Sequence, residues 1–510
     1  MLLLSHLRAH LRILLFTLGL PAGSTMPMTL AAQEVAANGQ KDCYRVYLTD
    51  KKGCGYKTGR PEAFLSPKAI ERRRRYGLKV DHHDLPLTPA YLDSLRHMGL
   101  TVRLVSKWNN TAVVEVGDTA LLAPLRRLPF VKDVCLVWQQ PPTMTPGSHK
   151  LMRDKTNALR HNLVKPFGAA DSLYAAGDST LLGFLKSIKQ EGHNHLAPKP
   201  QAHYMGLGHH QAAMLGVDAM HKQGYTGRGV TIAVMDAGFF NADIIPGLKE
   251  VNVLGTRNYV TPGRSVYEGH SHGMEVLSCI AARSPHRLVG TAPDAAFYLL
   301  VTEDTRSEQM IEEDNWCAAL EYADSLGCDI VTSSLGYTHF DHKDMKLTYT
   351  MLDGRTHLNS RSASLAASRG LLVVNSAGNE GGERWKKIGI PADAPDILTV
   401  GAVDSTGVNT DFSSVGHTAD GRIKPDVMAM GEDVYVYDIT GLITRVGGTS
   451  FSCPLTCGAA ACLMQAFPDK RPTDLIDALR RTASRADHPD NIYGYGLPDL
   501  TKAAEMLRKK

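Results

Sequence analysis

From Tyr204 onward, short runs of β-prone apolar residues recur with helical text between them, and that alternation leaves few folds open. Residues 230–235, 296–301, 329–332, 371–374 and 397–400 are nearly continuous apolar stretches. A strand that is apolar on both sides has to be covered on both sides, which is the habit of parallel rather than half-solvated antiparallel sheets. Helical segments at 308–326 and 360–368 lie between several of these runs. The expected fold is therefore α/β, a doubly wound and mostly parallel sheet with helices on both faces. No internal repeat is visible.

Chemistry in such sheets collects at the carboxyl ends of the strands. Asp236 follows the first run directly and precedes Ala237-Gly238. An aspartate there can simply cap a turn. Next comes Gly269-His270-Ser271-His272-Gly273, leading into an apolar helix over 277–282. His272 is the better candidate of the two histidines, because Gly273 follows it at the helix start. Asn379 sits in the Gly-rich loop Ala377-Gly378-Asn379-Glu380-Gly381 after an apolar strand. A side-chain amide held on such a loop can donate to an oxyanion without changing its own charge. Finally, Gly447-Gly448-Thr449-Ser450-Phe451-Ser452-Cys453-Pro454 places a serine at a helix start, where unpaired N–H groups suit developing negative charge. Each element alone has a bland reading as turn or cap. Together, and in the order Asp, His, Ser, they point to an acyl-transfer triad of the order found in subtilisin. The G-x-S-x-G elbow of a lipase or esterase is missing around Ser450.

These motifs make residues 204–502 resemble the subtilisin-like (S8, subtilase) serine peptidases. Residues 230–238 carry the Asp motif, 272–282 the His motif and 448–454 the Ser motif; Phe412-Ser413-Ser414 and Lys424-Pro425-Asp426-Val427 complete the series. The resemblance implies a catalytic triad of Asp236, His272 and Ser450, with Asn379 as oxyanion donor. It also implies that Ser334, Leu335 and Gly336 form the substrate-binding strand. Tyr337 and the loop over 338–344 are expected to shape specificity. No cofactor is needed for the chemistry; structural calcium is allowed, with metal ligands unassigned and no EF-hand pattern present. Protein or peptide substrates are the implied partners. Ala237 and Glu275 depart from the family, which usually has Ser or Thr and a second His at these positions. Phe451-Ser452-Cys453 departs from the commoner Met-Ala-Ser. Two other readings stay open: a non-catalytic binding protein on a peptidase fold, and an esterase or acyl transferase using the same triad.

Upstream, residues 33–141 alternate short strands with helices, including a strand over 44–48, a helix capped by Ser66 with Pro67 at its first position, and a helix over 121–128. This module resembles the α+β (ferredoxin-like) propeptide of such enzymes and is expected to act as an intramolecular inhibitor. Asp81-His82-His83-Asp84 reads as a solvated turn. Residues 142–203 read as a linker with one weak helix at 181–188, in which His193 and His195 are solvated. Self-cleavage is expected between about 140 and 203, so that the chain is made as a zymogen. At the N-terminus, Arg8 and Arg12 precede an apolar run over 13–20 that is too short to span a bilayer. Residues 1–32 thus read as an export signal ending near Ala31-Ala32, with an extracellular, periplasmic or cell-surface destination.

No later segment has the apolar length of a membrane span. A formal charge of +4 over 510 residues gives no reason to expect nucleic acid as a partner. Nine cysteines are an odd number without a CxxC pair. Cys43 and Cys54 could bridge in an oxidising compartment, whereas Cys453, Cys457 and Cys462 are expected as buried thiols.

Overall fold

The computed structural model describes residues 41–140 and 199–509. The expected export signal and nearly all of the expected linker, with His193, His195 and the helix at 181–188, lie outside the described residues.

The upstream module has strands β1 (Asp42–Leu48), β2 (Thr101–Ser106), β3 (Thr111–Val116) and β4 (Val131–Trp138), with helices α1 (Pro67–Arg75), α2 (Pro89–His97) and α3 (Leu122–Arg126). The antiparallel sheet order β2-β3-β1-β4 places the first and last strands side by side, as in a split βαβ unit. Ser66 caps α1 by accepting the Ala69 N–H, with Pro67 at the first position. The helix expected over 121–128 is shorter: a 3-10 turn at Thr119–Leu121 takes its start, and the chain turns at Arg127.

The larger part is built on a seven-stranded sheet ordered β13-β12-β11-β10-β5-β9-β6, parallel at every pairing. Its strands are β5 (Thr231–Asp236), β6 (Asn252–Asn258), β9 (Ala296–Val301), β10 (Ile330–Ser333), β11 (Leu372–Ser376), β12 (Leu398–Val403) and β13 (Val427–Met430). A small hairpin, β7 (Arg283–Ser284) with β8 (Leu288–Val289), and a second, β14 (Val434–Tyr437) with β15 (Ile443–Val446), lie apart from it. Alternate residues of one strand belong to different cores. Ile232 and Val234 pack with α6 (His272–Ala281) and α9 (Thr449–Ala466). Ala233 and Met235 pack with α7 (Ile311–Leu326) and α8 (Leu358–Ser368). Continuous apolar strands thus have helices on both faces, and the doubly wound reading holds. Short helices α4 (His209–Ala213) and α5 (Val217–Lys222) precede the sheet, and α10 (Pro472–Arg481) and α11 (Leu500–Lys509) follow the last long helix.

The upstream module docks on α7 through buried charge. Arg45 grips Asp314 with two N–H donors at 2.8 and 2.7 Å. Arg72 and Arg73 both reach Asp324, the latter at 2.8 Å. Glu321 accepts the N–H groups of Lys107 (2.7 Å) and Trp108 (3.1 Å). Asp84 is fully buried between Arg73 (3.0 Å) and Arg369 (3.2 Å). The segment 81–84 is thus solvated only in part: His82 is exposed, whereas Asp84 takes its partner charges from α1 and from Arg369 at the end of α8.

All nine cysteines are free thiols. Cys43 packs with Val113, Val137, Trp138 and Ile311, and Cys54 places its thiol on the Tyr56 carbonyl at 3.6 Å, so the bridge allowed for this pair is not formed. Cys453, Cys457 and Cys462 are fully buried as expected. Among the described residues no helix is long and apolar enough to cross a membrane.

Candidate active site

Asp236 ends β5 at the carboxyl edge of the sheet and is fully buried. His272 opens α6 and donates from Nδ1 to Asp236 Oδ1 at 2.8 Å; the same oxygen accepts the Ala237 N–H at 2.7 Å. In the neutral ring this bond leaves His272 Nε2 as the acceptor. His270, the competing histidine, accepts the His272 backbone N–H at its Nδ1 (3.1 Å). Gly273 is needed here: a Cβ at that position would stand 2.8 Å from the Asp236 Cβ.

Ser450 is the second residue of α9, with its side chain nearly buried. Two features fix its backbone. Phe451 packs its ring 5.9 Å from that of His272. Pro454, inside the helix, has no N–H to return to the Ser450 carbonyl four residues earlier. The Ser334 hydroxyl donates to that carbonyl instead, at 2.8 Å. Ser450 Oγ in turn lies 3.5 Å from the Ser334 carbonyl. The structure thus joins Asp236 to His272 directly and ties Ser450 to Ser334, while the Ser450–His272 hydrogen bond is not made in this state.

Asn379 sits beside the same helix start. Its Oδ1 accepts from the Thr449 N–H (2.9 Å) and hydroxyl (3.0 Å), which leaves the Nδ2 donors for another acceptor. Gly448 has φ +148°, and a Cβ there would approach Asn379 Nδ2 to 3.7 Å. The Thr449 hydroxyl also receives the Gly378 N–H at 3.2 Å. Thr449 is thus the residue that registers the amide loop against the serine, a role sequence reasoning missed.

Ser334, Leu335 and Gly336 follow the end of β10 outside any strand, with the Leu335 carbonyl accepting Asn375 Nδ2 at 3.1 Å. Regular pairing resumes only at Tyr337, which exchanges backbone hydrogen bonds with Ile390 at 2.9 and 3.0 Å. Tyr337 does not line a pocket: its side chain is 1% exposed, packs on Phe340 and donates its hydroxyl to Glu303 at 3.1 Å.

Electrostatics favour a protonated imidazole. Burial disfavours the His272 cation, but the Asp236 carboxylate, helped by Glu275 and Glu303, outweighs it and lifts the pKa to about 9. Glu275 lies one helical turn along α6 and accepts the Ser271 hydroxyl at 3.2 Å. Burial pushes its own pKa up to about 7, against the opposing pull of His272. Calcium would need oxygen donors. The all-carboxylate grouping among the described residues, Glu303, Glu308 and Glu312, already receives Tyr337 Oη and the Asp304 N–H, and no site is assigned to it.

The upstream module also pairs with the segment that precedes α7. Just past β4, the Gln139 N–H donates to Gln309 Oε1 (2.7 Å) and Gln309 Nε2 donates back to the Gln139 carbonyl (2.8 Å). One amide side chain thereby substitutes for a neighbouring strand.

Known proteins match along the same lines. Residues 227–496 match the Subtilase family of peptidases S8. Residues 43–152 match the S8 peptidase propeptide domain of Bacteroidota. The chain belongs to the subtilase family of serine endopeptidases. Subtilisin NAT of Bacillus subtilis subsp. natto is 32% identical over 292 residues, spanning 56% of this chain and 68% of that protein. Subtilisin of Bacillus pumilus is equally similar over 292 residues, covering 95% of its length. Subtilisin-like protease SBT6.1 of Arabidopsis thaliana is 26% identical over 411 residues, covering 78% of this chain and 36% of its own. As a subtilase, the chain carries its α+β module as a propeptide, and peptides are the substrates its family implies.

Proposed function

We propose that this subtilase is an exported, self-processed endopeptidase in which Ser450 is the nucleophile, His272 the general base and Asp236 the residue that orients it. The observation that carries the reading is the 2.8 Å bond from His272 Nδ1 to buried Asp236, at a strand end beside the helix that begins with Thr449-Ser450. Rotation of the Ser450 hydroxyl from the Ser334 carbonyl toward His272 Nε2 readies it for attack on a peptide carbonyl. His272 takes the hydroxyl proton, Asp236 stabilises the imidazolium, and the proton passes to the leaving amine. Water then hydrolyses the acyl-enzyme by the reverse path. Asn379 Nδ2 and the Ser450 backbone N–H hold the oxyanion. The backbone of Ser334 to Gly336, which belongs to no strand ladder, accepts the substrate as an added strand.

The propeptide acts as inhibitor because its chain leaves β4 at Gln139, already paired to Gln309. Cleavage between about residues 140 and 203 releases it, after removal of residues 1–32 on export.

Labelling with a serine-directed fluorophosphonate, followed by mass spectrometric mapping, tests the assignment. An adduct at Ser450 is expected; processed protein without label there would reject the enzyme mechanism. Replacing Asn379 by alanine should lower kcat by roughly 10²–10³, about 3 kcal/mol, the loss measured for the equivalent donor in subtilisin. KM should change little, because the donor matters only once charge develops.

The pH profile is a further check. A base whose conjugate acid titrates near 9 is mostly protonated at neutral pH, so kcat/KM should climb as pH rises toward about 9. Glu275→Gln removes one of the charges that raise the His272 pKa, and should shift this limb to lower pH in initial-rate measurements.

A further inference from the structure

A second cluster of ligand-bearing side chains lies outside the active site, where the peptidase body begins. His203 belongs to the segment that precedes α4, His209 is the first residue of α4, and Asp218 lies in the first turn of α5. One ligand atom of each lies within 4.8 Å of the others, and all three residues are partly exposed, so an ion can reach them from solvent. The two imidazoles stack at 3.6 Å between centroids. Neutral imidazole is the form that binds metal. Asp218 supplies the anion. It pairs with Lys222 at 3.4 Å, a contact whose lysine is 69% exposed and which is worth little in water.

We propose that His203, His209 and Asp218 bind a transition-metal dication of the zinc type, with water completing the shell. Two imidazoles and a carboxylate are borderline donors that suit zinc, nickel or copper, and are poorly suited to calcium, which takes oxygen ligands. The rings splay from their stack to close on one ion, and ligation through His203 Nε2 moves the ring proton to Nδ1, giving up the 3.2 Å contact from the Met205 N–H. The other histidine cluster is less suited: Asp81 is held by Arg369 and by the His83 N–H.

The ion has a structural consequence. The segment 201–207 is tied to the β7–β8 hairpin by Gln201 N–H to His286 O (2.8 Å), His286 N–H to Tyr204 O (2.7 Å) and Leu207 N–H to Arg287 O (2.8 Å). A metal shared by His203, His209 and Asp218 would fasten the opposite side of that segment to α4 and α5. It would pin the stretch that becomes the N-terminal region once the propeptide is cut away.

The test uses the full-length, tag-free chain in the Ser450→Ala background, which cannot digest itself. Cobalt(II) titration should give one saturable site per chain with visible absorption bands, and zinc should displace the cobalt. The bands should vanish in His203→Ala/His209→Ala, and Asp218→Asn should weaken binding at least roughly tenfold. His82→Gln/His83→Gln should bind as the parent does. Zinc should raise the unfolding midpoint of the parent and leave that of His203→Ala/His209→Ala unmoved, with circular dichroism showing that each variant folds. No saturable site in the parent, or an unchanged site in the double histidine variant, would overturn the proposal, as would its loss in His82→Gln/His83→Gln.

Discussion

Replacing Ser450 by alanine should lower peptide hydrolysis by on the order of 10⁶ in kcat, the loss measured when the subtilisin nucleophile is removed. The size of the effect follows from the geometry. The Asp236–His272 pair exists to receive one proton, and without Oγ it has none to receive. What survives is the rate that Asn379 and bound backbone can give to water. The same variant should accumulate as uncut precursor when expressed beside the wild type, read on a denaturing gel. Identical processing of the two would assign the cut to another protease and leave the hydrolytic role of Ser450 untouched, since the kcat measurement stands on its own.

The second large effect is expected far from the serine. Asp324 is fully buried and shared by Arg72 and Arg73, themselves 2% exposed. Asp324→Ala leaves the buried Arg72 guanidinium with carbonyl acceptors but no carboxylate, and Arg73 with Asp84 alone; losing one partner of a buried ion pair typically costs about 3–5 kcal/mol. That converts to roughly 10²–10⁴ in the affinity of the cleaved propeptide for its enzyme. Size-exclusion chromatography after processing should show the propeptide co-eluting with the wild-type peptidase and separating from the Asp324→Ala enzyme. Arg74, whose partner Glu71 lies on the same exposed helix surface, is the control: Arg74→Ala should leave co-elution intact.

The sheet and the triad were legible because their signals are local. A strand covered on both faces announces itself as an apolar run, and the residues proposed for the triad stand at a strand exit (Asp236), before a glycine (His272) or at a helix start that follows Gly447-Gly448 (Ser450). What escaped has physical reasons. β6 reads Asn-Val-Leu-Gly-Thr-Arg-Asn and is largely exposed, because an edge strand with one neighbour needs no apolar run. Asp84 sits in polar text that looks solvated, yet Arg369 comes to it from 285 residues away. For Ser334 the family resemblance implies a place on a substrate-binding strand; its hydroxyl serves a carbonyl 116 residues distant. Tyr337 seemed a wall of the specificity pocket by position alone, and the Glu303 carboxylate draws it inward. Partners distant in sequence are where pattern gives no purchase.

Pro454 changes what Ser450 belongs to. In an uninterrupted helix the Ser450 carbonyl would be latched to the next turn, and the nucleophile would ride on any tilt or fraying of α9. With that latch absent and the Ser334 hydroxyl in its place, the serine is anchored to the sheet edge that, in the proposed mechanism, also receives the substrate chain. Nucleophile and substrate therefore share one reference frame, so thermal motion of the helix behind them does little to the distance that must close.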